Sequence, residues 1–130
     1  MKHRNWLLVV ILTAAASVAL ADQTPVQVEV KCPDKTIEYN IGKHAQNMVR
    51  GSKAHKLVTD STATVRITLS AAPVSHKSND KDAPLGISFA MLVRKKAATG
   101  AWDVTAFQNS FVPLDEIETT VKDSVADAIK

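Results

Sequence analysis

The sequence Thr64-Val65-Arg66-Ile67-Thr68-Leu69-Ser70 decides the fold class, because its apolar and polar side chains alternate without interruption. Successive side chains of a β-strand point to opposite faces of a sheet, so this period predicts a strand with one buried and one solvated face. Val65, Ile67 and Leu69 would face the core. Antiparallel sheets commonly have one face on a core and one face in water.

The same alternation recurs on both sides of this segment. Residues 26–30 and residues 87–94 each alternate apolar with more polar side chains, and residues 55–59 form a short apolar segment. Residues 75–84 read Ser-His-Lys-Ser-Asn-Asp-Lys-Asp-Ala-Pro, a polar and turn-rich composition. This composition predicts an exposed hairpin loop between two strands.

A last strand is expected to start at Trp102 and to end at Pro113. Its apolar residues change parity along the way: Trp102, Val104 and Ala106 share one parity, whereas Phe107 and Phe111 share the other. This change predicts a β-bulge or a switch of face near Ala106.

Two segments have helical spacing instead. We favour a helix between Thr36, as its cap, and Gly51, as its end, over a competing strand in which Ile37, Tyr39 and Ile41 alternate. The C-terminal segment predicts an amphipathic helix, since its first turn is acidic and its apolar residues recur every three or four positions. Those residues are Leu114, Ile117, Val121, Val125 and Ala128.

The element order is therefore strand, helix, four strands and helix. It predicts an α+β fold, in which a single-layer antiparallel sheet of four to five strands carries two helices packed on one face. No linker composition divides residues 22–130, so they are expected to form a single domain. The side on which the short segment after the first helix pairs stays open.

Residues 1–21 have the three-part pattern of a secretory signal peptide, with Lys2 and Arg4 before an apolar run that ends in Ala19-Leu20-Ala21. We expect cleavage before Asp22 and a periplasmic or secreted protein that does not span the membrane after cleavage. Loss of two of the 16 basic residues leaves 14 against 13 acidic ones, a net charge of +1. Nucleic-acid-binding proteins usually carry a larger basic excess, so we expect no nucleic acid partner.

The segment that runs from Met48-Val49-Arg50-Gly51-Ser52 through His55-Lys56-Leu57-Val58 to the alternating strand resembles a pattern in small exported bacterial proteins of unknown function. In topology the chain is similar to accessory α+β domains of envelope assembly proteins. The resemblance implies the α+β fold and an envelope setting. It contains no functional motif, so it assigns no site residue.

The sequence lacks the common motifs that are typical of enzymes. It has no Gly-x-Ser-x-Gly elbow and no phosphate-binding glycine loop, and His44, His55 and His76 do not have zinc-motif spacing. We therefore expect no enzymatic activity, no catalytic residue, no metal and no cofactor. Cys32 is the single cysteine. A buried unreactive thiol is favoured for it, and an intermolecular disulfide is the alternative in an oxidising compartment.

Basic residues are concentrated between residues 39 and 59, where no acidic residue occurs, and again at residues 94–96. They could attract an anionic surface, although a solvated surface offset by the acidic last helix is the favoured interpretation. The candidate basic patch consists of Lys43, Arg50, Lys53, Lys56, Lys95 and Lys96.

We expect a non-enzymatic binding or accessory protein of the bacterial envelope, whose partner is another envelope or secreted protein. It would act through the sheet face opposite the helices or through an edge strand. Arg66, Thr68, Leu92 and Arg94 form the candidate partner face. The alternative is a secreted inhibitor or effector that acts on another protein through the exposed loop at residues 75–84.

Overall fold

The computed structural model describes residues 23–78 and 81–130. Its elements are β1 Thr24–Lys31, α1 Lys35–Arg50, β2 His55–Leu57, β3 Val65–Ser78, β4 Lys81–Lys96, β5 Trp102–Pro113, a 3-10 turn Leu114–Glu116 and α2 Ile117–Ala128. This order of strands and helices is the predicted one. The signal peptide predicted for residues 1–21 lies outside the described residues and stays a prediction.

The five strands form one open sheet in the order β2-β1-β3-β4-β5. The predicted α+β class is confirmed, and the sheet is mostly antiparallel, because the long strands β3, β4 and β5 pair in that way. β1 lies parallel to both β2 and β3. A parallel neighbour requires a crossover connection, which α1 provides between β1 and β2.

Helix α1 begins at Lys35, and its N-cap lies two residues before the predicted one. The Asp34 side chain accepts hydrogen bonds from the backbone N–H groups of Thr36 and Ile37, both at 3.0 Å. Asp34 is therefore the N-cap, and the assignment of that role to Thr36 is wrong. The C-terminal end is as predicted, since the Gly51 N–H donates to the Asn47 carbonyl at 3.0 Å.

Both helices cover the same face of the sheet. α1 buries Ile41, Ala45 and Val49 against this face, and α2 buries Val121 and Val125 beside them. The strands supply the other half of the core, which includes Val26, Val65, Ile67, Leu69, Ile87, Phe89, Met91 and Val93. The alternation that predicted the strands therefore also identified their covered side.

The hairpin of β3 and β4 extends beyond the rest of the sheet. β1 pairs with β3 only as far as Ser70, and β5 pairs with β4 only from Gly86 onward. Beyond Ser70, β3 pairs only with β4, and before Gly86, β4 pairs only with β3. This pairing continues to Ser78 and Lys81. Residues 75–78 and 81–84 of the predicted loop therefore form a two-stranded ribbon, because backbone pairing continues through their polar sequence.

Candidate functional site

The uncovered face of the sheet, called here the open face, holds the predicted partner residues together. The strand register sets Arg66 directly opposite Arg94, and Thr68 directly opposite Leu92. All four side chains are half-buried. Alternation along β3 and β4 directs them away from the helices, since their neighbours in sequence are core residues. Their membership of a partner face stays a prediction.

A β-bulge in β5 adds apolar side chains to this face. Val93 pairs with Ala106 while Arg94 pairs with Val104, which leaves Thr105 as an extra residue. The bulge predicted near Ala106 is confirmed. Because of it, Val104 and Phe107 lie on the same face although they are three positions apart.

Three apolar side chains of β5 are consequently exposed on this face, with exposed Asn109 between the second and the third. Val104 is 61% exposed, Phe107 is 66% exposed and Phe111 is 54% exposed. Phe107 lies opposite Leu92, which joins these side chains to the predicted partner residues. We call Leu92, Val104, Phe107 and Phe111 the apolar row. Sequence reasoning did not assign its β5 members to the partner face, although the parity change that predicted the bulge carried that information.

Trp102 borders one end of the apolar row and is held by basic side chains. The guanidinium carbon of Arg66 lies 4.3 Å from the centre of the Trp102 ring, and the Lys96 ammonium lies 6.0 Å from it. These distances are within the range of cation–π attraction. Arg66 also donates from Nε to Gln27 Oε1 at 3.1 Å. This hydrogen bond and the contact with the Trp102 ring together fix the position of the guanidinium group.

Phe111 marks the other end of the row, where β4 and β5 approach closely at Gly86. A Cβ atom on Gly86 would lie 2.9 Å from Phe111 Cζ and 2.2 Å from the Val112 carbonyl oxygen. Only glycine allows this approach. The Phe111 ring therefore lies over the glycine, which fixes the position of an aromatic side chain that remains half exposed.

Two polar atoms beneath the open face have no hydrogen-bond partner among the described residues. They are Thr68 Oγ1 and Arg94 Nε, and both atoms are covered. Buried polar atoms are usually paired, and both of these atoms belong to predicted partner residues. Together with Arg66 and Lys96, Arg94 makes this region of the open face basic as well as apolar.

The candidate basic patch is distributed over three hollows. Lys43 and Arg50 border a groove beside α1, while Arg50 and Lys56 border a second hollow. Lys95 and Lys96 border the third, and Lys53 is exposed in the turn after α1. The predicted attraction of an anionic surface stays a prediction.

Acidic side chains lie close to parts of this patch. Asp60 borders the hollow of Lys56, and its pKa is lowered, first by hydrogen bonds from the Thr62 hydroxyl and backbone N–H and then by the Lys56 charge. Where the two helices meet, His44 Nδ1 lies 4.0 Å from Glu118 Oε1. At this contact the basic first helix lies beside the acidic last helix, as predicted.

Cys32 follows β1 and is only 8% exposed, with its side chain in the core cluster. It is free in the chain. An intermolecular disulfide stays a prediction that would require this segment to open.

In residues 23–78 and 81–130, no group of three His, Cys, Asp or Glu side chains is placed to hold a metal ion. No helix of these residues has the length and apolar character needed to cross a membrane.

Comparison with known proteins gives similarity of structure only. No protein-family model and no curated protein matches the chain. Two structures of the PelC dodecamer from Paraburkholderia phytofirmans are similar to it. One has a TM-score of 0.46 at 13% identity, over 82% of this chain and 85% of PelC. The other has a TM-score of 0.41 at 16% identity, over 85% and 89%.

A neuraminyllactose-binding hemagglutinin homolog from Helicobacter pylori is also similar, with a TM-score of 0.36 at 8% identity. The alignment covers 85% of this chain and 80% of that one. Similarities at these scores assign no function to the chain.

Proposed function

We propose that this protein is an exported, non-enzymatic binding protein of the bacterial envelope, which docks a partner protein on the open face of its sheet. The partner would present an apolar surface to the apolar row and acidic groups to the basic residues around it. The signal-peptide pattern of residues 1–21 supports the periplasmic or secreted location.

The observation that carries this proposal is the exposure of the apolar row. Val104, Phe107 and Phe111 are each more than half exposed on a face that no described element covers, with Asn109 between the two phenylalanines. Exposed apolar surface with a polar rim is typical of protein interaction sites. Aromatic and arginine side chains, which form this row and its border, are also enriched in interface centres.

The border of the row indicates the chemistry of the partner. Arg66, Arg94 and Lys96 lie around Trp102 and Val104, while the acidic Glu29 lies on this face beside Thr68. Charge complementarity therefore favours an acidic rim on the partner, which would increase the association rate and select its orientation.

Affinity capture from the native envelope fraction tests the proposal. The full chain is expressed in its own host with its own leader and a C-terminal tag, as wild type and as Phe107→Asp. We expect the wild type to retain a stoichiometric protein and Phe107→Asp to lose it, because the new carboxylate would be desolvated in the interface.

Leu85→Asp is the matched control, since Leu85 is also a half-exposed apolar residue but is the unpaired residue at the base of the projecting ribbon. Equal capture by wild type and Phe107→Asp would contradict docking on the open face.

The inhibitor or effector function remains a second candidate because the ribbon projects. Residues 75–78 and 81–84 pair only with each other, which gives a protruding element that could enter a cleft of another protein. Under this candidate Leu85→Asp and shortening of the ribbon would abolish capture, whereas Phe107→Asp would not.

A further inference from the structure

The second surface of interest is the outer edge of β1, on the opposite side of the sheet from β5. β2 has only three residues and pairs with Thr24–Val26, at the start of β1. β1 continues to Lys31. Among the described residues, no strand pairs with this second half of β1 on the β2 side. Residues 27–31 therefore offer a free edge.

The backbone groups of this edge can be assigned from their neighbours. The Thr24 N–H donates to the Ala54 carbonyl at 2.8 Å, and the Val26 carbonyl accepts from the Val58 N–H at 2.9 Å. Backbone groups of alternate residues in a strand point to the same side. The N–H and C=O groups of Val28 and Val30 therefore point toward the free edge, where an added strand could pair with them.

Helix α1 and this edge together line a groove of about 600 Å³. Val28 and Val30 form one wall, while Tyr39, Gly42 and Gln46 of α1 lie on the other side. The helix lies close to the strand here, since a Cβ on Gly42 would be in ordinary van der Waals contact with Val30 Cγ2, at 3.5 Å. An extended chain in the groove would meet apolar side chains on its helix-facing side.

The charge of the groove is positive. Lys35, Lys43 and Arg50 line it, together with the single carboxylate of Glu38. Glu38 already forms an ion pair with Lys35 at 3.4 Å. Lys43 and Arg50 are exposed and form no ion pair with the described residues, so they are available to a ligand.

We propose that this groove binds an extended acidic peptide, which adds as a strand to the free edge of β1. The peptide backbone pairs with Val28 and Val30. Alternate apolar side chains pack against the groove, and acidic side chains pair with Lys43 and Arg50. Strand addition gains affinity from backbone hydrogen bonds and specificity from the pockets for alternate side chains. The free edge of about 15 Å has room for four to five residues at roughly 3.3 Å each.

Selection from a phage-displayed library of random dodecapeptides against the full chain, expressed with its own leader, tests this proposal. We expect enriched sequences to alternate apolar and acidic residues and to lack proline. A synthetic peptide of the consensus should slow amide hydrogen exchange of Val28 and Val30 at least tenfold, as measured by NMR. Its reverse-charge analogue, with lysine in place of each acid, should bind at least tenfold more weakly.

Lys43→Glu and Arg50→Glu should each weaken the consensus peptide at least tenfold, while Lys130→Glu, an exposed control outside the groove, should not. No enrichment, basic consensus sequences, or binding that leaves the exchange of Val28 and Val30 unchanged would each overturn the proposal. Concentration-dependent protection of these amides without peptide would also overturn it, since a second copy would then occupy the edge. Phe107→Asp should bind the peptide normally, which separates this test from that of the open face.

Discussion

Phe89 and Phe107 lie on neighbouring strands of one sheet, yet Phe89 is fully buried whereas Phe107 is 66% exposed. Phe89 faces the helices and belongs to the core. Phe107 faces away from them, opposite Leu92. Apolar side chains on the covered face hold the fold, whereas those on the open face do not, and we propose that they hold a partner.

Phe89→Ala should have the largest effect, because it removes a fully buried aromatic side chain from the centre of the covered face. Replacement of a buried phenylalanine by alanine typically costs about 3–5 kcal/mol in the free energy of unfolding. Denaturant titration followed by circular dichroism measures this loss. A loss below about 1 kcal/mol would contradict this difference between the two faces, since the covered face would then not determine stability.

Gly86→Ala should have the next largest effect, although the new methyl group would lie toward the open face. It would overlap the Val112 carbonyl oxygen and the Phe111 ring, so β4 and β5 would have to separate. Overpacking of this kind typically costs about 1–3 kcal/mol in the free energy of unfolding. Ser88→Ala is the control on the same strand, since Ser88 is exposed opposite Phe111 and should change stability little.

Phe107→Ser should change the free energy of unfolding by no more than about 0.5 kcal/mol, because the side chain is mostly exposed in the free protein. The same variant should lose the partner in the capture experiment. Parallel denaturant titration and capture measure both quantities. A large loss of stability would show that Phe107 serves the fold, and retained capture would show that it does not serve binding.

Glu118→Gln, a change in helix α2, should have the smallest effect on stability. The pKa of Glu118 is lowered below its ordinary value of 4.5, first by the hydrogen bond and charge of Lys122 and then by His44. A lowered pKa in the folded protein stabilises it above the ordinary pKa, and this contribution is lost as the pH falls through the folded-state pKa.

Thermal unfolding of wild type and Glu118→Gln should therefore differ slightly at neutral pH, and this difference should shrink as the pH falls below the ordinary glutamate pKa of 4.5. Asp123→Asn, an exposed change on the same helix, is the control for loss of a surface carboxylate. A difference between wild type and Glu118→Gln that grows on acidification would contradict the assigned direction.

The sequence allowed the fold class to be predicted because alternation at Val65, Ile67 and Leu69 reports directly on burial. The parallel pairing of β1 could not be read in this way, since alternation contains no information about strand direction. The strand–helix–strand order around α1 was the available signal. The cap was misassigned because Asp34 and Thr36 are both residue types that can cap a helix, and only the backbone geometry decides between them.

The predicted partner residues come together because Arg66, Thr68, Leu92 and Arg94 alternate with core residues on paired strands. The β5 half of the open face was missed, because the side of Phe107 and Phe111 depends on the register at the bulge. The β1 groove was missed because it depends on how far β2 extends along β1. Both features arise from pairing between distant segments, which local spacing does not contain.

Site-specific photo-crosslinking tests the central claim most directly. The full chain, in its own host, carries the photoreactive amino acid p-benzoylphenylalanine in place of Phe107, with Leu85 replaced in a separate strain as the control. Our account predicts a discrete crosslinked partner protein from position 107 and none from position 85. A partner crosslinked from position 85 and not from position 107 would contradict docking on the open face.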